Sequence, residues 1–281
     1  MASRPTLSKR WLVSNLSQAA QRKAKPITLQ QREKMATWIA HLRLAENLLP
    51  MIGGLDTHQF AIGNVAPDSG IPDEKWEKFE PPVEVTHFQA LGDNRWPSAD
   101  LEFYRRYLAP LGQAEPNVAR FSFLSGYFFH LVTDNLWAEQ IVGPTKARFA
   151  AELEADPGFV WEIKRDWYGL DFLYVRSHPD SMFWQVFLDC VYTEDYLDFM
   201  PQEAVRQRLD YIRTLYQRTD EEIEKWYGER PCKYLSEAEM DGFVDETTRR
   251  LHRIYRYLWE EGVNISGFSS ALEFPLDEGT T

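Results

Sequence analysis

The sequence predicts an all-α protein built as a single multi-helix domain. Apolar residues recur at spacings of three and four along most of the 281 residues, which is the period of an amphipathic helix. No alternating strand pattern, hairpin dipeptide or internal repeat interrupts this periodicity. The composition is that of an ordinary globular protein, since 44% of the residues are hydrophobic and 26% are charged. A chain of this length and composition can bury one large helical core.

The first hundred residues contain an arm, a helix and a long connection. Residues 1–25 carry six Lys or Arg residues and no acidic residue, so we expect a flexible basic arm before a helical domain at 26–272. The first helix is predicted from Thr28, a candidate N-cap, to Pro50. Residues 51–97 are rich in Gly, Pro and Asp. The length of this segment indicates a functional loop.

Helical periodicity continues through the rest of the chain. Further helices are predicted at 98–108, 121–142, 145–155, 159–175, 180–199, 202–227 and 237–261. Ser98 is a candidate cap for the first of these helices, and the last of them carries Phe243 and Leu251 at helical spacing. Residues 273–281 are predicted to form a disordered tail.

Charge and cysteine usage limit the classes of partner and compartment. The net charge of −12 disfavours long nucleic acids as partners, because an acidic surface repels their phosphates. Two cysteines, Cys190 and Cys232, argue against a disulfide scaffold and fit a reducing compartment. Apolar runs of signal-peptide or membrane-spanning length are missing from the sequence. We therefore expect a cytoplasmic protein without a membrane span; contact of the basic arm with anionic lipid stays open, as does the oligomeric state.

The segment Ser122–Trp137 carries the main functional signal. It places His130 and Asp134 inside an otherwise apolar helix, one turn apart on the same face. Burying a free carboxylate costs several kcal/mol, roughly, unless a charge or a metal compensates it. The pair therefore indicates either a metal site or a hydrogen-bonded histidine in the core.

Three further residues extend the pair into a candidate ligand set. His41 lies on or beside the buried stripe of the first helix. Asp68 follows a proline and precedes Ser-Gly, which fits either a rigid turn that presents its carboxylate or a turn cap. His87 lies between Thr86 and Phe88, where it is either tethered beside the core or exposed. Three imidazoles and two carboxylates form a zinc-type set that can hold two ions if one Asp bridges them.

These residues make the chain similar to the zinc-dependent phospholipase C family, whose superfamily includes the single-strand-specific nucleases of moulds. The resemblance spans residues 35–145 and is carried by His41, Gly63-Asn-Val-Ala-Pro-Asp-Ser-Gly70, Thr86-His-Phe88 and Gly126-Tyr-Phe-Phe-His-Leu-Val-Thr-Asp134. It implies the helical fold of that family. It also implies that Asp68, His87, His130 and Asp134 surround one zinc, and that Asp134 bridges to a second zinc held by His41.

Two features depart from the family. The secreted phospholipases use their mature N-terminal residue as a ligand, whereas 40 residues precede His41 here. They also hold a third zinc with two histidines and a glutamate after the bridging aspartate, but the next histidine in this chain is His178. Asp166 is our candidate for an added metal ligand. An ion pair of Asp166 with Lys164 or Arg165 is the alternative.

The resemblance implies a metal-dependent phosphoester hydrolase, phospholipase C-like, that uses a metal-bound hydroxide. Asp68 would then be the catalytic residue that orients or deprotonates the attacking water. The expected substrates are small phosphoesters or phospholipid head groups. The alternative is a non-catalytic helical metal-binding or interaction protein that kept a degenerate site. The remaining histidines, His58, His178 and His252, are expected to be structural or exposed.

Overall fold

The computed structural model describes residues 35–74, 78–89, 98–111, 117–227 and 232–276. Helices account for 68% of this part of the chain and strands for 2%, so the predicted all-α class is confirmed. The predicted basic arm and the predicted cap Thr28 lie outside the described residues.

Twelve α-helical segments lie within the described ranges. They are α1 (Trp38–Leu48), α2 (Thr57–Gly63), α3 (Val83–Thr86), α4 (Asp100–Phe103), α5 (Val118–Trp137), α6 (Gly143–Arg148), α7 (Ala150–Ala155), α8 (Val160–Ser177), α9 (Met182–Gln185), α10 (Gln202–Tyr216), α11 (Asp220–Tyr227) and α12 (Glu237–Tyr255). Wider π-type turns continue three of them, at Tyr104–Leu108, Ala138–Val142 and Arg256–Glu260. Two short strands, β1 (Ile71–Pro72) and β2 (Phe79–Glu80), pair antiparallel with Ile71 opposite Glu80.

Helix α5 lies at the centre of the core. Every side chain from Ser122 to Trp137 is buried, as expected for a helix that is apolar on all faces. Helix α2 crosses α5 at backbone contact. A Cβ atom on Gly63 would lie 2.1 Å from the Phe123 carbonyl oxygen, and one on Gly126 would lie 2.5 Å from that of Phe60. Two glycines therefore set how closely α2 approaches α5.

Where the structure describes it, the predicted loop at 51–97 has more regular structure than expected. It contains α2, a 3₁₀ turn at Ala66–Asp68, the β1–β2 pair and α3. Asp56 caps the start of α2, because its carboxylate accepts a hydrogen bond from the Gln59 amide at 2.9 Å. A helix of seven residues is too short for its periodicity to be read from the sequence.

The predicted helix at 180–199 is wrong beyond its first turns. Helix α9 ends at Gln185, a 3₁₀ turn follows at Phe187–Asp189, and residues 190–196 have no regular secondary structure. Side chains of α10 satisfy carbonyls of this segment instead: Arg213 donates to Phe187 at 3.2 Å and Arg206 to Tyr192 at 2.8 Å. These distant donors replace the bonds that a helix would have made.

Two other boundaries differ from the predictions. The helix predicted at 202–227 is divided, and Thr219 caps its second part by accepting from the Glu222 amide at 3.3 Å. The predicted tail begins too early, because Phe274 is buried and stacks on Tyr257 with ring centroids 4.6 Å apart. Residues 277–281 lie outside the described ranges. Among the described helices, none is long and apolar enough to cross a membrane.

Candidate metal centre

The structure brings five predicted ligands together in two overlapping groups. His41, His130 and Asp134 form one group, and Asp68, His87 and His130 form the other. Four of the five side chains are fully buried, and that of Asp68 is 9% exposed. This buried cluster of three imidazoles and two carboxylates can hold a metal ion.

His130 is oriented by the close packing of α2 on α5. Its Nδ1 lies 2.8 Å from the carbonyl oxygen of Asn64, the residue that ends α2. A carbonyl oxygen only accepts hydrogen bonds, so Nδ1 donates to it and Nε2 points into the cluster. This is the outer contact that metal-binding histidines commonly make.

The two sequence neighbours of His87, Thr86 and Phe88, fix its position. The Thr86 hydroxyl lies 2.9 Å from His87 Nδ1, while Phe88 packs edge-on against Phe103 with ring centroids 5.3 Å apart. Phe88 takes the left-handed conformation, with φ of 54°, at the position after a helix end where glycine is preferred. The sequence prediction that His87 is tethered beside the core agrees with this placement.

Asp68 and His41 approach the same centre from other elements. Trp38 donates its indole N–H to Asp68 Oδ2 at 2.6 Å, which turns Oδ1 towards His87. The ring of His41 stacks on that of His130 with centroids 3.8 Å apart. Among the described residues, neither ring nitrogen of His41 has a hydrogen-bond partner. Both ring nitrogens are therefore available to a ligand.

Asp134 faces both groups. Its Oδ2 lies 3.3 Å from His130 Nε2 and 3.5 Å from His87 Nε2. Its Oδ1 lies 3.4 Å from His41 Nε2 and accepts a hydrogen bond from the Ala36 amide at 2.9 Å. The carboxylate thus lies between His41 on one side and the other two imidazoles on the other.

The separations match the edges of a coordination tetrahedron. His87 Nε2 also lies 3.3 Å from His130 Nε2 and 3.5 Å from Asp68 Oδ1. Ligand bonds of about 2.0–2.1 Å in a tetrahedron place neighbouring ligand atoms about 3.3–3.4 Å apart. Good hydrogen bonds between nitrogen and oxygen would be shorter, at about 2.7–3.2 Å. His87 Nε2 therefore lies at ligand-like separations from three atoms, His130 Nε2, Asp68 Oδ1 and Asp134 Oδ2.

Charges within the cluster are strongly coupled. Burial raises the pKa of Asp68, but the neighbouring His87 and the charge of His130 outweigh burial and lower that pKa to about 2. Burial and the charge of His130 lower the pKa of His41 to about 4. Burial would also lower the pKa of His87, yet Asp134 and Asp68 raise it to about 9. At neutral pH, His41 therefore offers a free lone pair, and both carboxylates attract a cation. His87 carries a proton that a metal ion would displace on binding.

Asp166 is not part of this centre, so the prediction that it is an added ligand is wrong. It belongs to neither ligand group. Its Oδ2 accepts hydrogen bonds from the amides of Tyr234 at 2.8 Å and Leu235 at 3.1 Å. Its Oδ1 accepts a hydrogen bond from the backbone amide of Lys233 at 3.3 Å. The carboxylate thus fixes the chain before α12, and those donors lie too far along the sequence to be foreseen.

Sequence reasoning missed the residues that support the ligands. The sequence gives no sign that the indole N–H of Trp38 donates a hydrogen bond to Asp68. The Asn64 carbonyl and the Ala36 amide are backbone groups, so their contacts cannot be predicted from the residue types. A cleft opens beside Asp68 between the start of α1 and helices α8 and α10, and Trp38 and Tyr168 line it.

Comparisons with protein-family models, with curated proteins and with solved structures found no match to this chain.

Proposed function

We propose that this protein is a zinc-dependent phosphoester hydrolase with two metal positions that share Asp134. The observation that carries the proposal is the placement of that carboxylate, with one oxygen towards His87 and His130 and the other towards His41, all within 3.3–3.5 Å. Paired metals that share a ligand are typical of enzymes that cleave phosphate esters, because the two ions contact the attacking and the leaving oxygens.

The donor set supports zinc over the alkaline earth ions. Imidazole nitrogen and carboxylate oxygen suit zinc and similar first-row metals, whereas Ca²⁺ and Mg²⁺ prefer oxygen ligands throughout. The ligand-like separations around His87 Nε2 agree with zinc, as does the ring of His41, whose nitrogens have no hydrogen-bond partner in the described part of the chain. Asp68, His87, His130 and Asp134 would hold one ion, and His41 with Asp134 would hold the other.

The residues of the chain then have separate tasks. Zinc bound here would lower the pKa of a coordinated water and neutralise charge on the phosphoryl group. Asp68 is the only one of the five ligands whose side chain reaches solvent, and it borders the cleft. Its pKa of about 2 keeps it ionised at neutral pH. Asp68 therefore orients a water molecule by accepting a hydrogen bond, and its role as a base is minor.

The chain order of the ligands supports kinship with the zinc-dependent phospholipase C family. His41, Asp68, His87, His130 and Asp134 occur in the order on which that resemblance rests, and each contributes to the cluster. Small phosphoesters and phospholipid head groups remain the proposed substrates, and a cytoplasmic location remains a prediction. A non-catalytic metal-binding protein is the second candidate, which the burial of four ligands favours.

Hydrolysis and metal content together test the proposal. Protein purified without chelator is expected to carry one to two equivalents of zinc by elemental analysis. It should hydrolyse bis(p-nitrophenyl) phosphate or p-nitrophenyl phosphate, lose that activity on chelation and regain it with added zinc. Zinc binding without turnover of either ester would favour the non-catalytic candidate. Less than about 0.2 equivalents of zinc, with no thermal stabilisation by added zinc, would exclude the metal centre itself.

A further inference from the structure

Two cationic side chains line the cleft beside the metal centre. Lys164 of α8 and Arg208 of α10 border the same cleft as the ligand Asp68. They are only 6% and 7% exposed. Lysine and arginine are seldom so buried, because removing their charge from water is costly. A cleft that places two such groups beside a metal centre is electrostatically suited to an anion.

Arg208 is fixed close to the metal ligands. Its guanidinium lies 5.3 Å from the ring centroid of Trp38 and 5.5 Å from that of Tyr211, and it donates to the Gly70 carbonyl at 3.3 Å. Trp38 in turn holds Asp68 through its indole N–H. A single indole ring therefore separates Arg208 from a ligand of the metal centre, and stacking fixes the direction of its donors.

Lys164 belongs to the inner face of α8. Trp167 and Tyr168 follow it by three and four residues, so they share its helix face, and both line the cleft. The neighbouring Arg165 lies on the outer face, where it is 44% exposed and forms an ion pair with Glu162 at 3.1 Å. One helix thus offers a buried cation at the cleft and, at the next position, an exposed cation for comparison.

We propose that Lys164 and Arg208 form an anion subsite for the terminal phosphate of a phosphomonoester, next to the metal centre. The subsite rests on the proposed function only for its role in a reaction, since its binding of phosphate can be measured separately. A terminal phosphate carries about two negative charges at neutral pH, because its second pKa is about 6, whereas a diester carries one. Two added cations therefore favour monoesters over diesters. Arginine and lysine are the side chains that suit phosphate oxygens.

Calorimetric titration of the zinc-loaded protein with inorganic phosphate tests the subsite directly. Lys164→Met and Arg208→Met should each weaken phosphate binding at least about tenfold, because a charge-assisted hydrogen bond is lost. Arg165→Met should bind phosphate as the wild type does, and all variants should keep their zinc. Lys164→Gln and Arg208→Gln replace any methionine variant that loses its helical circular dichroism signal. Unchanged affinity in the variants at both positions, or no binding of millimolar phosphate by the wild type, would overturn the proposal.

Steady-state kinetics test the substrate class. The ratio of kcat/KM for p-nitrophenyl phosphate to that for bis(p-nitrophenyl) phosphate should fall in Lys164→Met and Arg208→Met and stay unchanged in Arg165→Met. A ratio that is the same in all four proteins would overturn the preference for monoesters. If the wild type turns over neither ester yet binds phosphate through these two residues, the subsite stands and the hydrolase function falls.

Phosphate release from two sources separates a free metabolite from a lipid. One assay uses soluble glycerol 3-phosphate, and the other uses phosphatidylcholine vesicles that contain phosphatidic acid. Release that falls in Lys164→Met with either source supports the subsite and identifies the kind of molecule that carries the phosphate. Where the wild type releases phosphate, equal release by Lys164→Met from both sources contradicts the subsite.

Discussion

Asp134 shows how one buried side chain can have both a structural and a functional role. Its Oδ1 accepts a hydrogen bond from the Ala36 amide and so fixes the chain just before α1. Its Oδ2 has no hydrogen-bond partner among the described residues. The charge and contact of His130 outweigh burial and keep the pKa of Asp134 well below its usual value. The carboxylate is thus held ionised between imidazoles, the state in which it binds cations.

Asp134→Asn distinguishes a bridging carboxylate from a hydrogen-bond acceptor. The variant should fold, because the amide oxygen can still accept the bond from Ala36. Its zinc content should fall by at least one equivalent, and its hydrolytic rate by about a hundredfold or more, because a neutral amide bridges two cations poorly. Elemental analysis and the ester assay check both effects. A folded variant with the zinc content and rate of the wild type would end the bridging hypothesis.

Two histidine variants test whether the buried rings are the ligands. His130→Ala should lose metal and destabilise the protein by about 2–4 kcal/mol, since it leaves a cavity and an unpaired Asn64 carbonyl. His252→Ala changes a half-buried residue of α12 and should alter stability by no more than about 0.5 kcal/mol. Denaturant unfolding and metal analysis give the comparison. Equal effects of the two variants would mean that the wrong histidines were selected.

Residue context explains which site residues the sequence could indicate. His130 and Asp134 were identifiable because ionisable groups interrupt an apolar helix, and His41 because it accompanies an apolar stripe. Asp68 and His87 were less certain, since turns and loops commonly contain such residues. Asp166 had the same local appearance as a ligand, yet its partners are amides at 233–235. Local sequence carries no information about which distant backbone a side chain will reach.

The contact between α2 and α5 positions half of the site at the scale of elements. Because Gly63 and Gly126 let the two backbones touch, the Asn64 carbonyl reaches His130, and the 3₁₀ turn that carries Asp68 follows immediately in the chain. Any separation of these helices would move one ligand group relative to the other. The helix crossing is therefore a condition of the metal geometry.

Gly63→Ala tests the importance of this crossing. The added methyl would meet the Phe123 backbone at 2.1 Å, so the helices must separate, and we expect a loss of about 2–4 kcal/mol in unfolding free energy together with weaker zinc binding. Gly242→Ala is the matched control, because it lies within α12 with nothing near its Cβ position. It should stabilise the protein by up to about 1 kcal/mol. Both are measured by chemical denaturation, and equal stabilities of the two variants would contradict the close packing.

Long elements were easier to predict than short ones. Helices α5, α8 and α12 span enough turns for their periodicity to show. Helix α3 has four residues, and its end depends on Phe88 taking a conformation that usually favours glycine. The packing of Phe88 on Phe103 outweighs that preference. Tertiary contacts of this kind also explain why the chain beyond Gln185 leaves the predicted helix.

At the scale of the whole molecule, Asp171 connects three helices. It accepts hydrogen bonds from Thr37, the cap of α1, at 2.6 Å and from Tyr216 at the end of α10 at 2.5 Å. Asp171 itself lies on α8, seven positions after Lys164. Burial raises the pKa of Asp171 to about 7, although both hydrogen bonds favour the ionised form. The junction of α1, α8 and α10 therefore contains a carboxyl group that titrates near neutral pH.

This raised pKa predicts a dependence of stability on pH. The unfolded chain loses the Asp171 proton near pH 3.8, whereas the folded protein keeps it until about pH 7. The contribution of Asp171 to stability is thus fully present below about pH 4, falls as the pH rises, and levels off above pH 7. Relative to Asp171→Asn, the wild type should lose up to about 4 kcal/mol of unfolding free energy across this window. Urea unfolding of both proteins without metal measures the difference, and a difference that does not vary with pH would contradict it.

The candidate ligands lie on four separate segments of the chain, at His41, Asp68, His87 and the His130–Asp134 turn. Ions bound in both ligand groups would join these segments as a disulfide joins two, and would restrict the unfolded chain in the same way. Unlike a disulfide, this cross-link is reversible, and its strength follows the concentration of free metal. The lifetime of the folded protein against proteases would then depend on the metal supply of its surroundings, so that metal-starved protein is degraded while metal-loaded protein persists.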